Sequence, residues 1–348
     1  YYYHLKGRRM RKITRRAFLS DSAVLLSSAF FLHRGEKTFF EEKQNAREYP
    51  SYINLAKTEK LSERVEKLYS IYENCHLCPR DCRVNRKEGQ TGRCRSTSRV
   101  KVSSAFAHFG EEAPLVGEKG SGTIFFSNCG LRCIYCQNYK ISHEGEGVEI
   151  SDDRLAEMMV KVQELGCHNI NLVTPTHYLP SIINALQKAI PMGLRIPLVY
   201  NTSGYENLEI LQLLDGIVDI YLPDCKYTDP EQAAKYSDGA YNYPHYAFIA
   251  LKEMFRQVGD LEVNRKGIAV KGLIVRHLVL PNRIAGTEKF LKFVAEQLSK
   301  TTYLNIMSQY RPEYKASEYP ELSRRLKQSE YEEAIRWAHQ KGLYRLDR

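Results

Sequence analysis

From residue 123 onward the chain alternates between two hydrophobic periods. Short runs rich in β-branched and aromatic residues occur at 123–127, 169–174, 197–201, 217–222, 271–280 and 303–307. Between them, apolar positions recur at helical spacing. Leu155, Met158, Met159, Val162 and Leu165 mark one such stretch, opened by Ser151-Asp152-Asp153 as N-cap and first turn; others fall near 181–190, 205–214, 244–257 and 287–299. Strand runs alternating with helices predict βαβ units on a parallel sheet, an α/β fold. Six units make a partial (β/α)6 barrel, open on one side. Such barrels place their chemistry at the C-terminal ends of the strands.

The residues at those ends fit that rule. Thr174-Pro175-Thr176-His177 follows the second run, Asn201-Thr202-Ser203-Gly204 the third, and Pro223-Asp224-Cys225-Lys226 the fourth. Arg276-His277 lies within the fifth, and Ser308-Gln309-Tyr310 follows the sixth. Upstream, Leu55, Leu61, Val65, Leu68, Tyr69 and Tyr72 predict an amphipathic helix over 52–73, and the tail from Glu321 to His339 predicts a helix covering the barrel. The pattern divides the chain into a targeting segment (1–34), a linker, helix and cysteine knuckle (35–115), the barrel (116–312) and a helical tail (313–348).

Charge changes the picture only at the N-terminus. The net charge is +10, but residues 1–34 hold eight basic residues and one acidic, leaving +3 for the rest. The body therefore carries no electrostatic footprint for nucleic acid. Thr14-Arg15-Arg16-Ala17-Phe18-Leu19, followed by the apolar stretch from Ala23 to Leu32, resembles a twin-arginine export signal. That apolar stretch is shorter than the roughly 17–25 residues of a membrane-spanning helix. The segment points to export or membrane association, whereas the chemistry inferred below points to the cytoplasm.

Seven of the nine cysteines fall in two sets. Cys129, Cys133 and Cys136, spaced C-x3-C-x2-C, follow the first strand run directly. Three close thiolates can hold three irons of a [4Fe–4S] cube and leave the fourth open to chelation by an amine and a carboxylate; a disulfide with a spare thiol is the alternative. Cys75, Cys78, Cys82 and Cys94 suit either tetrahedral zinc or a second iron–sulfur cluster.

The C-x3-C-x2-C spacing, with Tyr135 before its last cysteine, resembles the signature of the radical S-adenosylmethionine (SAM) superfamily. Gly120–Ser127, Cys136-Gln137-Asn138-Tyr139, Val173–His177 and Val275–Pro281 resemble its glycyl-radical-activating branch, typified by the pyruvate formate-lyase activating enzyme. This resemblance, over about residues 75–340, implies a TIM-type partial barrel of the radical SAM type, a [4Fe–4S] cluster and SAM. It implies that Tyr135 packs near the adenine and that Asn138 lies at the cofactor. Asp224 and Lys226 match the branch's Asp-x-Lys, and Arg276 the arginine of its fifth strand; these would hold the SAM carboxylate and the reacting geometry. Asn201 and Thr202 match an Asp-Thr pair that helps hold a monovalent cation, with a charge lost. Thr174 and His177 stand where a Gly-Gly-Glu usually receives the SAM amino group, so SAM is held differently here.

The resemblance further implies an electron donor such as a flavodoxin or ferredoxin, and a glycyl radical enzyme as a protein substrate. A non-catalytic iron–sulfur electron-transfer protein is the alternative. It requires a fourth thiolate at the barrel set, from Cys167 or Cys225. Tyr243, Tyr246, Tyr310 and Tyr314 are candidates for the substrate side or for core packing.

Overall fold

The computed structural model describes residues 50–347. The twin-arginine-like segment and the linker to residue 49 lie outside the described residues. Helices α1 (Ser51–Ala56) and α2 (Lys60–Ser70) replace the single helix expected over 52–73. The break falls where Glu59 takes a left-handed φ of 58°. The cysteine knuckle follows without regular structure, and then strand β1 (Val100–His108). The barrel units are β2 (Ser121–Phe126), β3 (Val148–Ile150), α3 (Asp152–Glu164), β4 (Ile170–Val173), α4 (Leu179–Ala189), β5 (Leu198–Thr202), α5 (Leu208–Gln212) and β6 (Ile220–Pro223). They continue through α6 (Pro230–Tyr236), α7 (Tyr243–Val258), β7 (Glu262–Val263), β8 (Ala269–Leu278), α8 (Thr287–Gln297) and β9 (Tyr303–Met307). Of the expected tail helix only α9 (Gln328–Gln340) forms, packed on α8.

Strands β2, β4, β5, β6, β8 and β9 are parallel neighbours in that order. These are the six expected strand runs, and the sheet they form is not closed. Three strands the hydrophobic pattern did not predict extend it: β1 runs antiparallel to β2, β3 antiparallel to β1, and β7 antiparallel to β8. Sheet alternation sorts the side chains. Ile124, Leu172, Tyr200, Tyr221, Val275 and Leu304 face the helices and build the main core. Val199, Ile220, Leu222 and Ile274 point into the barrel floor with Leu115 and Tyr303.

Leu115 belongs to the segment after β1, which crosses from that strand to the far edge of the open barrel. There the Asn305 amide of β9 donates to the Glu112 carboxylate at 2.9 Å. The segment thus closes the floor of the open side. No helix among the described residues is long and apolar enough to cross a membrane.

Candidate active site

The C-terminal ends of the parallel strands open into a cavity of about 240 Å³. Cys129, Cys133 and Cys136 line it, on a loop whose turns require left-handed backbone at Asn128 (φ 74°) and Arg132 (φ 56°). Two hydroxyls donate to the sulfurs: Ser142 Oγ to Cys136 Sγ and Ser237 Oγ to Cys133 Sγ, each at 3.1 Å. Burial pushes the free Cys133 thiol up to about 12, against the pull of the Lys226 ammonium and the Ser237 hydroxyl. Three cysteine sulfurs facing one cavity, two of them reached by hydroxyl donors, fit the ligand set of a metal cluster, whose binding would displace the proton that burial keeps on the free thiol.

Across the cavity Asp224 lies between two cations. Its carboxylate accepts from Lys226 Nζ and from Arg276 Nε, both at 2.7 Å. Burial alone would raise this carboxyl, but Arg276 and Lys226 hold it below the usual range. Burial opposes the Lys226 charge, yet Asp224 and Cys133 hold its pKa above the ordinary lysine value. The Arg276 guanidinium also donates from Nη2 to Asn201 Oδ1 at 2.6 Å and from Nη1 to Glu111 Oε2 at 3.3 Å. Each of its nitrogens therefore already has a protein acceptor. Arg276 shapes the site by fixing Asp224 and Asn201, and Lys226 is the cation nearer the cysteine loop. Glu111, on the segment that closes the barrel floor, was not legible in the sequence. Burial raises its pKa and Arg276 opposes that rise.

Tyr135, Asn138, Thr174, Asn201 and Thr202 all line the cavity, as expected of cofactor-binding residues. His177 does not. A 3-10 turn over Thr176–Tyr178 turns it away from the cavity, where Nε2 donates to the Ser127 carbonyl at 2.8 Å and burial lowers its pKa to about 3. It lines a second, smaller cavity with the first cysteine set. The Thr174 end of this stretch stays at the mouth, with a left-handed φ of 58°.

Behind the wall, Glu206 is 1% exposed and has three hydroxyl donors: Thr176 at 2.6 Å, Tyr200 at 3.3 Å, and Thr202. Burial raises its pKa to about 7. It ties the loops after β4 and β5 together. The Tyr243 hydroxyl does the same for the loops after β5 and β6, accepting from Lys226 N at 2.8 Å and reaching the Ser203 carbonyl at 2.8 Å. Tyr243 and Tyr310 are buried wall, and Tyr135 packs edge-on between Tyr227 and Tyr310. Tyr246 meets Tyr205, and Tyr314 stacks on Tyr139 and His143, so neither lines the cavity.

Neither Cys167 nor Cys225 lines the cavity. Both are buried in the main core behind the sheet. The fourth thiolate required by the electron-carrier alternative is therefore not at the barrel set.

The first cysteine set lines the smaller cavity. A short hairpin shapes it, with Cys75 N donating to the Val84 carbonyl and Arg83 N to the Cys75 carbonyl. Gly92 leaves room for Cys82: a Cβ there would lie 2.6 Å from Cys82 Sγ. Arg86, 1% exposed, donates to the carbonyls of Ser96, His177 and Thr97 and reaches Cys75 Sγ at 3.9 Å. The Tyr72 ring lies 4.8 Å from its guanidinium carbon. Among the described residues no carboxylate pairs with it.

An open parallel barrel with three cysteines at its mouth, beside a buried carboxylate shared by two cations, is an arrangement suited to a metal cluster and a small charged ligand. The family model described as "Radical SAM superfamily" matches residues 123–268. An uncharacterized protein of Methanocaldococcus jannaschii, MJ0674, is 35% identical over 301 residues, covering 84% of this chain and 82% of that protein. A second, MJ0808, is 25% identical over 276 residues, covering 73% and 75%. A crystal structure of a radical SAM methyltransferase from Sphaerobacter thermophilus covers 64% of this chain and 64% of that one, at 11% identity and a TM-score of 0.41. The chain carries a radical SAM superfamily domain over residues 123–268. Such a domain implies a [4Fe–4S] cluster and SAM as cofactors.

Proposed function

We propose that this protein cleaves SAM reductively and abstracts hydrogen from a macromolecular substrate, a glycyl radical enzyme being the partner that its activating-enzyme-like motifs favour. The observation that carries the reading is the cavity itself, with Cys129, Cys133 and Cys136 on one wall and Asp224–Lys226–Arg276 on the other. A reduced cluster held by these cysteines would supply the one electron for reductive cleavage of SAM to methionine and a 5′-deoxyadenosyl radical, which would take a hydrogen atom from the substrate. The chain's own residues bind and orient. Cys129, Cys133 and Cys136 hold the cluster, with Ser142 and Ser237 donating to its thiolates. Lys226 offers its ammonium to the SAM carboxylate, held in place by Asp224. Tyr135 and Asn138 bound the remaining space.

Cys75, Cys78, Cys82 and Cys94 hold a second metal centre in this reading, an iron–sulfur cluster rather than zinc. The buried Arg86 cation supports a metal centre there, since it calls for negative charge on these sulfurs; the iron–sulfur choice follows the chemistry proposed for the barrel site. A low-potential one-electron donor such as a flavodoxin or ferredoxin completes the system.

The test is anaerobic reconstitution with iron and sulfide, followed by SAM and a strong reductant. We expect 5′-deoxyadenosine from the native chain and none from Cys133→Ala. A full, reducible cluster whose EPR spectrum ignores SAM would refute the reading.

A further inference from the structure

The knuckle lies against the barrel's cysteine loop: a Cβ on Gly130, next to Cys129, would lie 3.6 Å from Cys78 Sγ. Arg80 of the knuckle strengthens the contact. It donates from Nε to the Gly130 carbonyl at 2.9 Å and from Nη2 to the Leu131 carbonyl at 3.3 Å. The same guanidinium donates to the carbonyls of Ser237 at 2.9 Å and Asp238 at 2.8 Å. Ser237 is the residue whose hydroxyl reaches Cys133 Sγ. One buried arginine therefore links the knuckle to the back of the barrel's cysteine loop and to a hydroxyl on one of its sulfurs.

The cavity side of that loop is the side SAM and substrate cover. An electron must reach the cluster while both are in place, and tunnelling falls off exponentially with distance. The knuckle offers a route from behind. Its outer rim is open: Cys78 and Cys82 are half-buried, and Arg83, Arg93 and Arg95 around them are exposed. A hydrogen bond from Arg93 N to Cys82 Sγ, at 3.4 Å, and the Arg86 charge both favour accepting an electron there.

We propose that the knuckle is the electron entry port of this enzyme, rests on the iron–sulfur reading of its four cysteines, and passes the electron through the Cys78–Gly130 contact and the Arg80 bridge to the barrel set. One electron arrives from a one-electron donor protein and one leaves to the barrel site; no bond is made or broken on the way and no proton is required.

Two measurements test it. In the fully reduced enzyme, EPR of the native chain should show splitting and accelerated relaxation that the summed spectra of Cys129/Cys133/Cys136→Ala and Cys82→Ala variants do not reproduce. A native spectrum equal to that sum overturns the relay. Stopped-flow reduction of the barrel site is then compared for reduced flavodoxin and for titanium(III) citrate, a reductant small enough to enter the cavity. In Cys82→Ala the ratio of flavodoxin-driven to titanium-driven rates should fall at least tenfold. An unchanged ratio overturns the relay, since a merely structural defect slows both alike. Zinc without sulfide in the Cys129/Cys133/Cys136→Ala variant would end the iron–sulfur reading of the knuckle and the relay with it; iron and sulfide there without magnetic interaction would end the relay alone.

Discussion

Replacing Arg86 separates a structural arginine from a counter-ion. In the fold it is a buried cation whose neighbours are three carbonyls, two tyrosine rings and the Cys75 sulfur. Arg86→Met keeps most of the volume but orphans buried acceptors, at about 1–3 kcal/mol each. That cost is paid whether or not the knuckle holds metal. The charge term is different. A unit charge 3.9 Å from a thiolate is worth about 4 kcal/mol at an effective dielectric constant near 20. It operates only when the sulfurs are ionised, as metal ligands are. We therefore expect Arg86→Met to speed iron release from the knuckle to a chelator by a factor of about 100 or more, since each 1.4 kcal/mol is about tenfold. Arg86→Lys, which keeps the charge but loses the fork, should fall between. The assay uses the Cys129/Cys133/Cys136→Ala background, so that only knuckle iron is counted, with urea unfolding of the metal-free protein as the reference. If Arg86→Met destabilises the stripped protein as much as the loaded one, Arg86 is a hydrogen-bonding strut and the counter-ion argument fails.

Three further outcomes follow from the geometry. Gly92→Ala drives a methyl into Cys82; iron and sulfide analysis should show loss of the knuckle's share, while the barrel cluster's EPR response to SAM survives. Asp224→Asn leaves Lys226 and Arg276 without their shared carboxylate. Breaking such a buried pair costs about 3–5 kcal/mol, and SAM affinity, read by equilibrium dialysis, should fall at least tenfold as the two cations lose their positions. Glu206 has a folded pKa of about 7, raised by burial above the ordinary glutamate value. Its protonated form therefore favours the fold, fully below the unfolded value, and this contribution is lost as pH rises through about 7. The stability difference between Glu206→Gln and the native chain should move in favour of the variant by up to about 3 kcal/mol between pH 4.5 and 7. A flat difference in chemical denaturation would mean that the three hydroxyls keep Glu206 ionised throughout.

The barrel was legible because its six parallel strands are covered on one face by helices and packed on the other into the barrel, so each reads as a compact β-branched or aromatic run. Strand β1 escaped because an edge strand half open to solvent reads Val-Lys-Val-Ser-Ser-Ala, with small and polar residues diluting the alternation. Cysteine spacing carried the two thiolate sets, since ligands on one loop must be close in sequence. What was not legible came from charges that meet only through the fold. Arg276 and Glu111 are 165 residues apart. Nothing in the spacing of Arg80 and Arg86 marks them, and it is the hydrogen bonds of the folded knuckle that give them roles. His177 was expected at the mouth because it follows a strand end, but a single 3-10 turn reversed its direction.

These misses share a cause, and it concerns the boundary drawn near residue 115. The segment before that point supplies β1 to the barrel's sheet, Glu111 to Arg276, Glu112 to Asn305, and Arg80 to the back of the cluster loop. Arg276 in turn fixes Asp224, which positions Lys226. The N-terminal extension is therefore part of the electrostatics of the candidate site. A chain cut at residue 116 would leave Arg276 without Glu111 and Glu112, β2 with an unpaired edge and the barrel's cysteine loop without its support. Its site would fail even where its strands formed.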